Sequence, residues 1–386
     1  MQVEPLTRVP VKPELIQWAC ERAGCDETAL ARRFPKLGEW QSGRSQPTLK
    51  QLEAFAKATH TSFGHFFLLQ PPIEQVPIPD FRTIGNNLVM KPTPGLLDTI
   101  YICQQRQEWY REYARISGDL PVVFIGSSQC TDDIVTTADR IRKALKFGIE
   151  ERQKMATWND AFRHFVDQAD AAGVLVMASG VVGSNNKRKL SPDEFRGFAL
   201  SDPYAPLVFI NGADTKAAQI FTLAHELAHL WLGESALSDA EIASTPENKI
   251  ESWCNKVAAE MLVPLASLKS EYRRKAPLND EAARLARLFK VSTLVILRRI
   301  HDGGGLTREQ FWAEYKSAIA QLRAISRPGG GDFYLTATAR VGKRFARAVV
   351  SATLEGHSSF SEMSRLLGIR KMSTFQELGD TLGIRT

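Results

Sequence analysis

At 386 residues the chain exceeds one compact core of usual size, so two to four folding units are expected. A hydrophobic content of 44%, with 24% charged and 9% aromatic residues, excludes the disordered and fibrous classes, and no apolar run reaches the roughly 18 residues that a membrane-spanning helix needs. The net charge of +6 permits an acidic partner such as DNA without demonstrating one.

The opening MQVEPLTRVPVKPEL has three prolines and no apolar core segment, so no signal peptide, no membrane partner and a cytoplasmic location are expected. Five cysteines (Cys20, Cys25, Cys103, Cys130, Cys254) form no metal-type pair, and all five read as reduced structural thiols.

The first block, residues 1–75, reads as several short helices. LIQWACERAG has apolar residues at helical spacing and stops at Gly24, Asp26 can cap ETALARRF, and Pro47-Thr48 can open a helix through Leu49, Leu52 and Phe55. With Trp40, Gly43-Arg44 and Pro47-Thr48, the block resembles the Xre/Cro-type helix-turn-helix. Its nine Lys/Arg against eight Asp/Glu leave it nearly neutral, a poor footprint for phosphate binding, and Pro35 sits where a recognition helix should begin. DNA contact and a docking role for a retained fold both stay open.

Residues 76–154 read as a linker and connecting α/β region. The proline-rich PPIEQVPIPDFRT (71–83) should be extended, an amphipathic helix should run from Thr93 to about Ile116, VVFIG (122–126) reads as a short buried strand, and a helix should follow over about 131–145.

A third block, residues 155–304, begins with the helical WNDAFRHFVDQADAAG. The strands VLVMAS, FRGFAL and PLVFIN follow, and then Asp214-Thr215, which can cap a further helix. The fold class is therefore α+β, mainly helical. The edge of PLVFIN is expected to be open to an extended peptide.

That further helix contains TLAHELAHLWLG, Thr222 to Gly233. On a helix, His225 and His229 lie one turn apart on one face and can send two imidazole nitrogens to one metal ion, with Glu226 beside them to take a proton from water. Such a pattern arises by chance in roughly one chain of this composition in a hundred, so context decides. Ile220, Phe221, Leu223, Leu227, Leu230 and Trp231 make the helix otherwise apolar, and three ionisable groups inside it are costly unless something such as a zinc ion satisfies them.

A third ligand is offered by a second helical pattern starting near Pro246, PENKIESWCNKVAAEMLVP, with two carboxylates, Glu251 and Glu260. Phe221 to His229, read with Glu251, Asn255, Ala258, Leu262 and Pro264, resembles the ImmA/IrrE family of zinc peptidases. The resemblance covers about residues 155–300 and implies a zincin-like core of a small sheet plus the HExxH helix. It assigns zinc to His225, His229 and Glu251, makes Glu226 the catalytic general base, places Asn255 behind a ligand, and leaves Glu260 as the alternative ligand. Zinc fits two imidazoles and one carboxylate, with manganese not separated from it.

The resemblance also implies a protein substrate, a repressor or antitoxin-like protein, in a stress-response, mobile-element or toxin–antitoxin setting. Many members carry an arginine shortly before FTLAHE, where this chain has Ala217, Ala218 and Ile220; Arg196 is a stand-in for substrate contact or a structural ion-pair partner. Arg196, Tyr204 and His301 are the candidates for stabilising an oxyanion. The rival reading is a DNA-binding transcriptional regulator or antitoxin with a structural or vestigial metal site. A second helix-turn-helix-like pair, Leu285 to Gly304, turns at Val291-Ser292.

Residues 305–386 read as a helical C-terminal domain. TATARVGKRFARAVVSATLEG places Arg340, Lys343, Arg344 and Arg347 on one face, either a solvated surface or a contact for DNA, and SSFSEMSRLLGIRKMSTFQELGDTL can form two more helices with a turn near Gly368.

Overall fold

The computed structural model describes residues 7–24, 27–81, 92–238, 248–324 and 338–384. The chain divides into two compact units, residues 1–77 with 90–98 and residues 78–89 with 99–386.

The first unit contains α1 (Pro13–Ala23), α2 (Glu27–Arg33), α3 (Leu37–Gln41) and α4 (Leu49–Ala58), then a 3-10 turn over Phe63–Phe67. Thr48 caps α4 reciprocally: Gln51 N donates to Thr48 Oγ1, and Thr48 N donates to Gln51 Oε1. Leu15, Ile16, Leu52, Phe55 and Trp40 form the core, with Trp40 and Phe55 edge to face at 6.0 Å. Trp40 is thus a packing residue. Pro35 falls in the turn between α2 and α3, and α3 is only five residues long. The expected cap Asp26 and Cys25 lie outside the described residues.

The long helix α5 (Pro94–Ile116) is where the amphipathic pattern places it. The expected strand VVFIG is instead a turn. Val123 is 91% exposed, and Val122 N and Gly126 N donate to Pro203 O and Leu230 O, so no neighbouring strand holds the segment. Its apolar character is used by Phe124, which stacks on Trp231 at 3.8 Å. The turn lets Phe124 and Ile125 pack against the core while Val123 points to solvent, so the apolar run is used without a strand partner.

Beyond it come α6 (Ile134–Ala144), α7 (Ile149–Gln153) and α8 (Trp158–Ala171). Then follow β1 (Leu175–Ser179), β2 (Gly197–Leu200), β3 (Leu207–Asn211), α9 (Lys216–Leu232), β4 (Ala236–Ser238) and α10 (Lys249–Leu262). The four strands form one sheet in the order β1-β3-β2-β4, with β1 parallel to β3 and the other pairs antiparallel.

β3 is therefore interior, paired with β1 and β2 along its whole length, and cannot offer an edge to a peptide. The edge beside the HExxH helix belongs to β4, which comes after that helix in the chain. Strand order is a tertiary property: nothing in PLVFIN marks which of two later segments will flank it. Helix α9 packs on β2, β3 and α8, and α10 lies along α9 and α6. Their apolar faces, including Ile220, Leu223, Leu227, Val257 and Leu262, share one large core with β1 and β3.

The C-terminal end of α10 is held by three arginines. Arg142 donates to Glu260 O and Met261 O, Arg152 to Leu262 O and Arg299 to Val263 O, so cations meet the carbonyls that a helix end leaves unsatisfied. Further on are α11 (Leu265–Glu271), α12 (Leu278–Phe289), α13 (Thr293–Asp302) and α14 (Arg308–Ala324), then α15 (Lys343–Leu354), α16 (Phe360–Leu367) and α17 (Met372–Thr381).

The basic face of the C-terminal block is largely engaged. Lys343 pairs with Asp167 at 2.6 Å, Arg344 Nε donates to Tyr110 Oη at 2.6 Å, and Arg340 donates to Asn186 Oδ1 at 3.0 Å. Arg347 is exposed.

Candidate metal centre

The chain reaches the site by way of α9. Thr215 caps its first turn, accepting from Ala218 N, and Gly233 ends it in a left-handed conformation at φ 76°, its N–H bonding His229 O and Leu230 O. A side chain at Gly233 would also meet Gly126 Cα at 3.0 Å, so the helix stop doubles as a packing point. Between these ends every residue from Gln219 to Trp231 is buried, including the three polar residues of the motif.

Glu251 arrives from the first turn of α10, whose cap Asn248 accepts from Ile250 N at 2.8 Å. His225 Nε2 and His229 Nε2 lie 3.1 Å apart. Glu251 Oε2 is 3.2 Å from His225 Nε2 and Glu251 Oε1 is 3.0 Å from His229 Nε2. Donors about a tetrahedral ion with bonds of about 2.0–2.1 Å are separated by roughly 3.3 Å, so this triangle fits a small divalent cation. Among the described residues these three form the one cluster of this kind.

The charges agree with that reading. Both imidazole Nδ1 atoms and both Glu226 oxygens are enclosed without a well-formed hydrogen bond, a costly arrangement for an ordinary core. Burial pushes the Glu226 carboxyl up to about 8, against the pull of His225. Burial also works to raise Glu251, but the two imidazoles outweigh it and hold that carboxyl at about 2. For His225 burial opposes protonation, and Glu251, with Glu226 and Asn255, reverses the outcome and raises it; His229 is lowered by burial.

Asn255, one turn beyond Glu251, is half-buried and interacts with His225. Glu260 is not at the centre: it pairs with Arg299 and accepts from Leu265 N at the far end of α10. Arg196 pairs with Asp214 at 3.0 Å, beside the cap of α9. Tyr204 lies under the Arg115 guanidinium, 5.2 Å from the ring centre, and its N–H donates to Asp202. His301 stacks on Phe311, with Nδ1 3.0 Å from Leu306 O. Each of these three side chains has a structural partner.

Three residues enter the site without notice in the sequence. A Cβ on Gly197, in β2, would come within 3.2 Å of Glu226 Oε1 and 2.6 Å of the Thr222 methyl, so the missing side chain makes room for the carboxylate. The Ser238 hydroxyl, in β4, lies 3.3 Å from His229 Nε2 and lowers the Glu226 carboxyl. The Phe81 ring stacks on His229 with centroids 6.3 Å apart and planes at 24°. The one advance signal was the glycine inside the strand FRGFAL; Ser238 and Phe81 are brought in by strand pairing.

A small sheet packed on an HExxH helix, with a carboxylate returned from the next helix, defines a zincin-like core whose His225, His229 and Glu251 could hold a metal ion. Residues 169–301, which contain the whole cluster, match the family model of the IrrE N-terminal-like domain, and the chain carries such a domain there. Residues 341–381 match a domain of unknown function. The chain is 35% identical over 96 residues to the radiation response metalloprotease IrrE of Deinococcus radiodurans, a match spanning 24% of this chain and 29% of that protein. It is 36% identical over 96 residues to the protein of the same name from Deinococcus deserti, spanning 24% and 34%. The chain thus covers about a third of the length of the curated relatives it matches. No solved structure matches it.

Proposed function

We propose that this protein is a zinc-dependent endopeptidase that cuts a specific regulatory protein, repressor or antitoxin-like, in the cytoplasm. The observation that carries the reading is the convergence of His225 Nε2, His229 Nε2 and the Glu251 carboxylate to within 3.2 Å of one another, with the Glu226 carboxyl enclosed beside them. Two imidazoles and one carboxylate form a donor set that suits zinc and leaves a position for a reactant. When bound, zinc supplies Lewis acidity, drawing the pKa of water towards about 7 and polarising a carbonyl.

The chain's own residues do the rest. His225, His229 and Glu251 hold the ion, and Asn255 orients the His225 ring. Glu226, which a cation held by the neighbouring donors would favour as the carboxylate against the effect of burial, takes the proton of the attacking water and returns it to the departing amine. Gly197 and Ser238 set the position of that carboxylate from β2 and β4. Arg196, Tyr204 and His301 have no part in the proposal, because Asp214, Arg115 and Phe311 occupy them.

Residues 1–75 serve as a docking unit that brings the peptidase to its target. The near-neutral charge of that block, with Arg340, Lys343 and Arg344 engaged elsewhere, gives the rival DNA-binding regulator less support.

The test is Glu226→Gln in cells, comparing protein N-termini with those of the wild type. The variant should keep its metal and lose cleavage by at least about a thousandfold, as removal of a general base with no substitute predicts. Unchanged cleavage rejects the mechanism.

A further inference from the structure

The edge of the sheet beside the metal centre already holds a peptide, and that peptide is part of the chain. Asp80 pairs in parallel register with Leu237 of β4. Leu237 N donates to Pro79 O at 2.9 Å, and Phe81 N donates to Leu237 O at 2.9 Å. Both bonds use the outer side of β4, whose inner side pairs with β2. Ile78 is buried, and the Phe81 ring reaches past β4 onto the His229 imidazole. After a bend at Pro77 and Ile78, residues 79–81 therefore pair with β4 through one parallel bridge, with Ile78 buried and the Phe81 ring on His229.

We infer that the outer edge of β4 is the seat of an extended peptide substrate, and that residues 77–81 are a tethered occupant which must leave before a substrate can be cut. The inference rests on the peptidase reading above. β4 has one outer edge, three residues long, so two strands cannot use it together. A substrate strand on this edge would have to displace residues 79–81, and with them the Phe81 ring that lies beside the His229 imidazole.

The segment suits this role. Pro79 fixes its own φ in a range that extended backbone accepts, which lowers the entropy cost of pairing with β4 at this point. Pro79 lacks an N–H, and its carbonyl is the group that β4 uses. Attachment to the same chain gives the segment an effective concentration of about a millimolar, enough to exclude a substrate present at micromolar concentration. The competitor that displaces it is a peptide with an aliphatic residue and, three positions on, an aromatic one.

Phe81→Pro tests the inference in the full-length protein, since proline removes both the N–H that bonds Leu237 O and the ring on His229. Phe81→Ala keeps the N–H and removes only the ring, and Phe81→Tyr keeps both. A fluorescein-labelled peptide of sequence PIPDF, followed by anisotropy, should bind the Phe81→Pro variant at least tenfold tighter than wild type, with Phe81→Ala between them and Phe81→Tyr like wild type. The Phe81→Pro variant should also cleave an unstructured peptide carrying the same pattern at least tenfold faster. Equal PIPDF affinity in all four proteins overturns the inference. Tighter PIPDF binding with no cleavage by any of them supports the occupied seat and rejects the peptidase reading, so the two failures are distinguishable.

Discussion

Helix α10 carries two buried carboxylates at opposite ends, and they have opposite fates. Glu251, in the first turn, faces two imidazoles and leaves a triangle of donors. Glu260, in the last turn, is closed off by Arg299 and the Leu265 N–H. Both are at most 4% exposed, so burial alone does not separate a carboxylate of the histidine cluster from a structural ion pair. What separates them is the charge nearby: the Arg299 guanidinium and the Leu265 N–H meet Glu260 Oε2, whereas Glu251 faces only two imidazole Nε2 atoms, a donor set that a cation would complete.

That contrast can be broken most sharply by exchanging each carboxylate for its amide. Glu251→Gln should abolish metal retention, weakening affinity by more than the 10- to 100-fold typical of losing a supporting residue, while Glu260→Gln should retain one equivalent. Metal content after gel filtration decides, and equal retention in both would erase the distinction drawn here.

Removing the other partner tests the structural end. Arg299→Met strands a buried carboxylate and strips the cap from Val263 O, so unfolding free energy should fall by about 3–5 kcal/mol. Adding Glu260→Leu should restore much of that loss, as denaturant melts of the single and double variants will report.

Asp170 lies between these extremes, buried and only partly satisfied by Arg344 N. Burial pushes its carboxyl up to about 6, so the folded state binds its proton more tightly than the unfolded chain does. Stability contributed by this group is therefore present below about pH 4 and is lost as pH rises to about 6. Asp170→Asn should flatten that slope and gain of the order of 2–3 kcal/mol at pH 7, with no gain at pH 4. Thermal melts across the range measure it.

The smallest effect belongs to Asn255. Asn255→Ala should weaken metal affinity by about tenfold while leaving the fold intact, the magnitude for a side chain that orients a ligand without bonding the ion. A competition titration against a chelator reads it.

Much of this arrangement was legible beforehand. Helix caps at Thr48 and Thr215, the stop at Gly233 and the spacing of His225, Glu226 and His229 depend on local backbone geometry, which neighbouring residues encode. The strands VLVMAS, FRGFAL and PLVFIN were readable for the same reason. VVFIG was misread because its apolar run matches a buried strand in composition while its hydrogen bonds go to Pro203 and Leu230, far away in the chain. Arg196 and Tyr204 looked like candidates because charge and hydroxyl are visible in a sequence, whereas Asp214 and Arg115 as their partners are not.

The sequence by itself determined which residues could bind a metal and which helices would carry them, since i to i+4 spacing and capping are set within a few residues. The resemblance had put Glu251 ahead of Glu260, and the tertiary structure supplies the physical reason that Glu251 meets the histidines: how α10 lies along α9 and where Arg299 comes to rest. It also decided that β3 is interior while β4 is an edge strand whose outer side pairs with Asp80, and that Phe81 reaches His229 across 148 positions of chain. Strand order and ion pairing are settled by which long-range contacts bury the most apolar surface while leaving the fewest polar groups alone, a choice that no short stretch of residues contains.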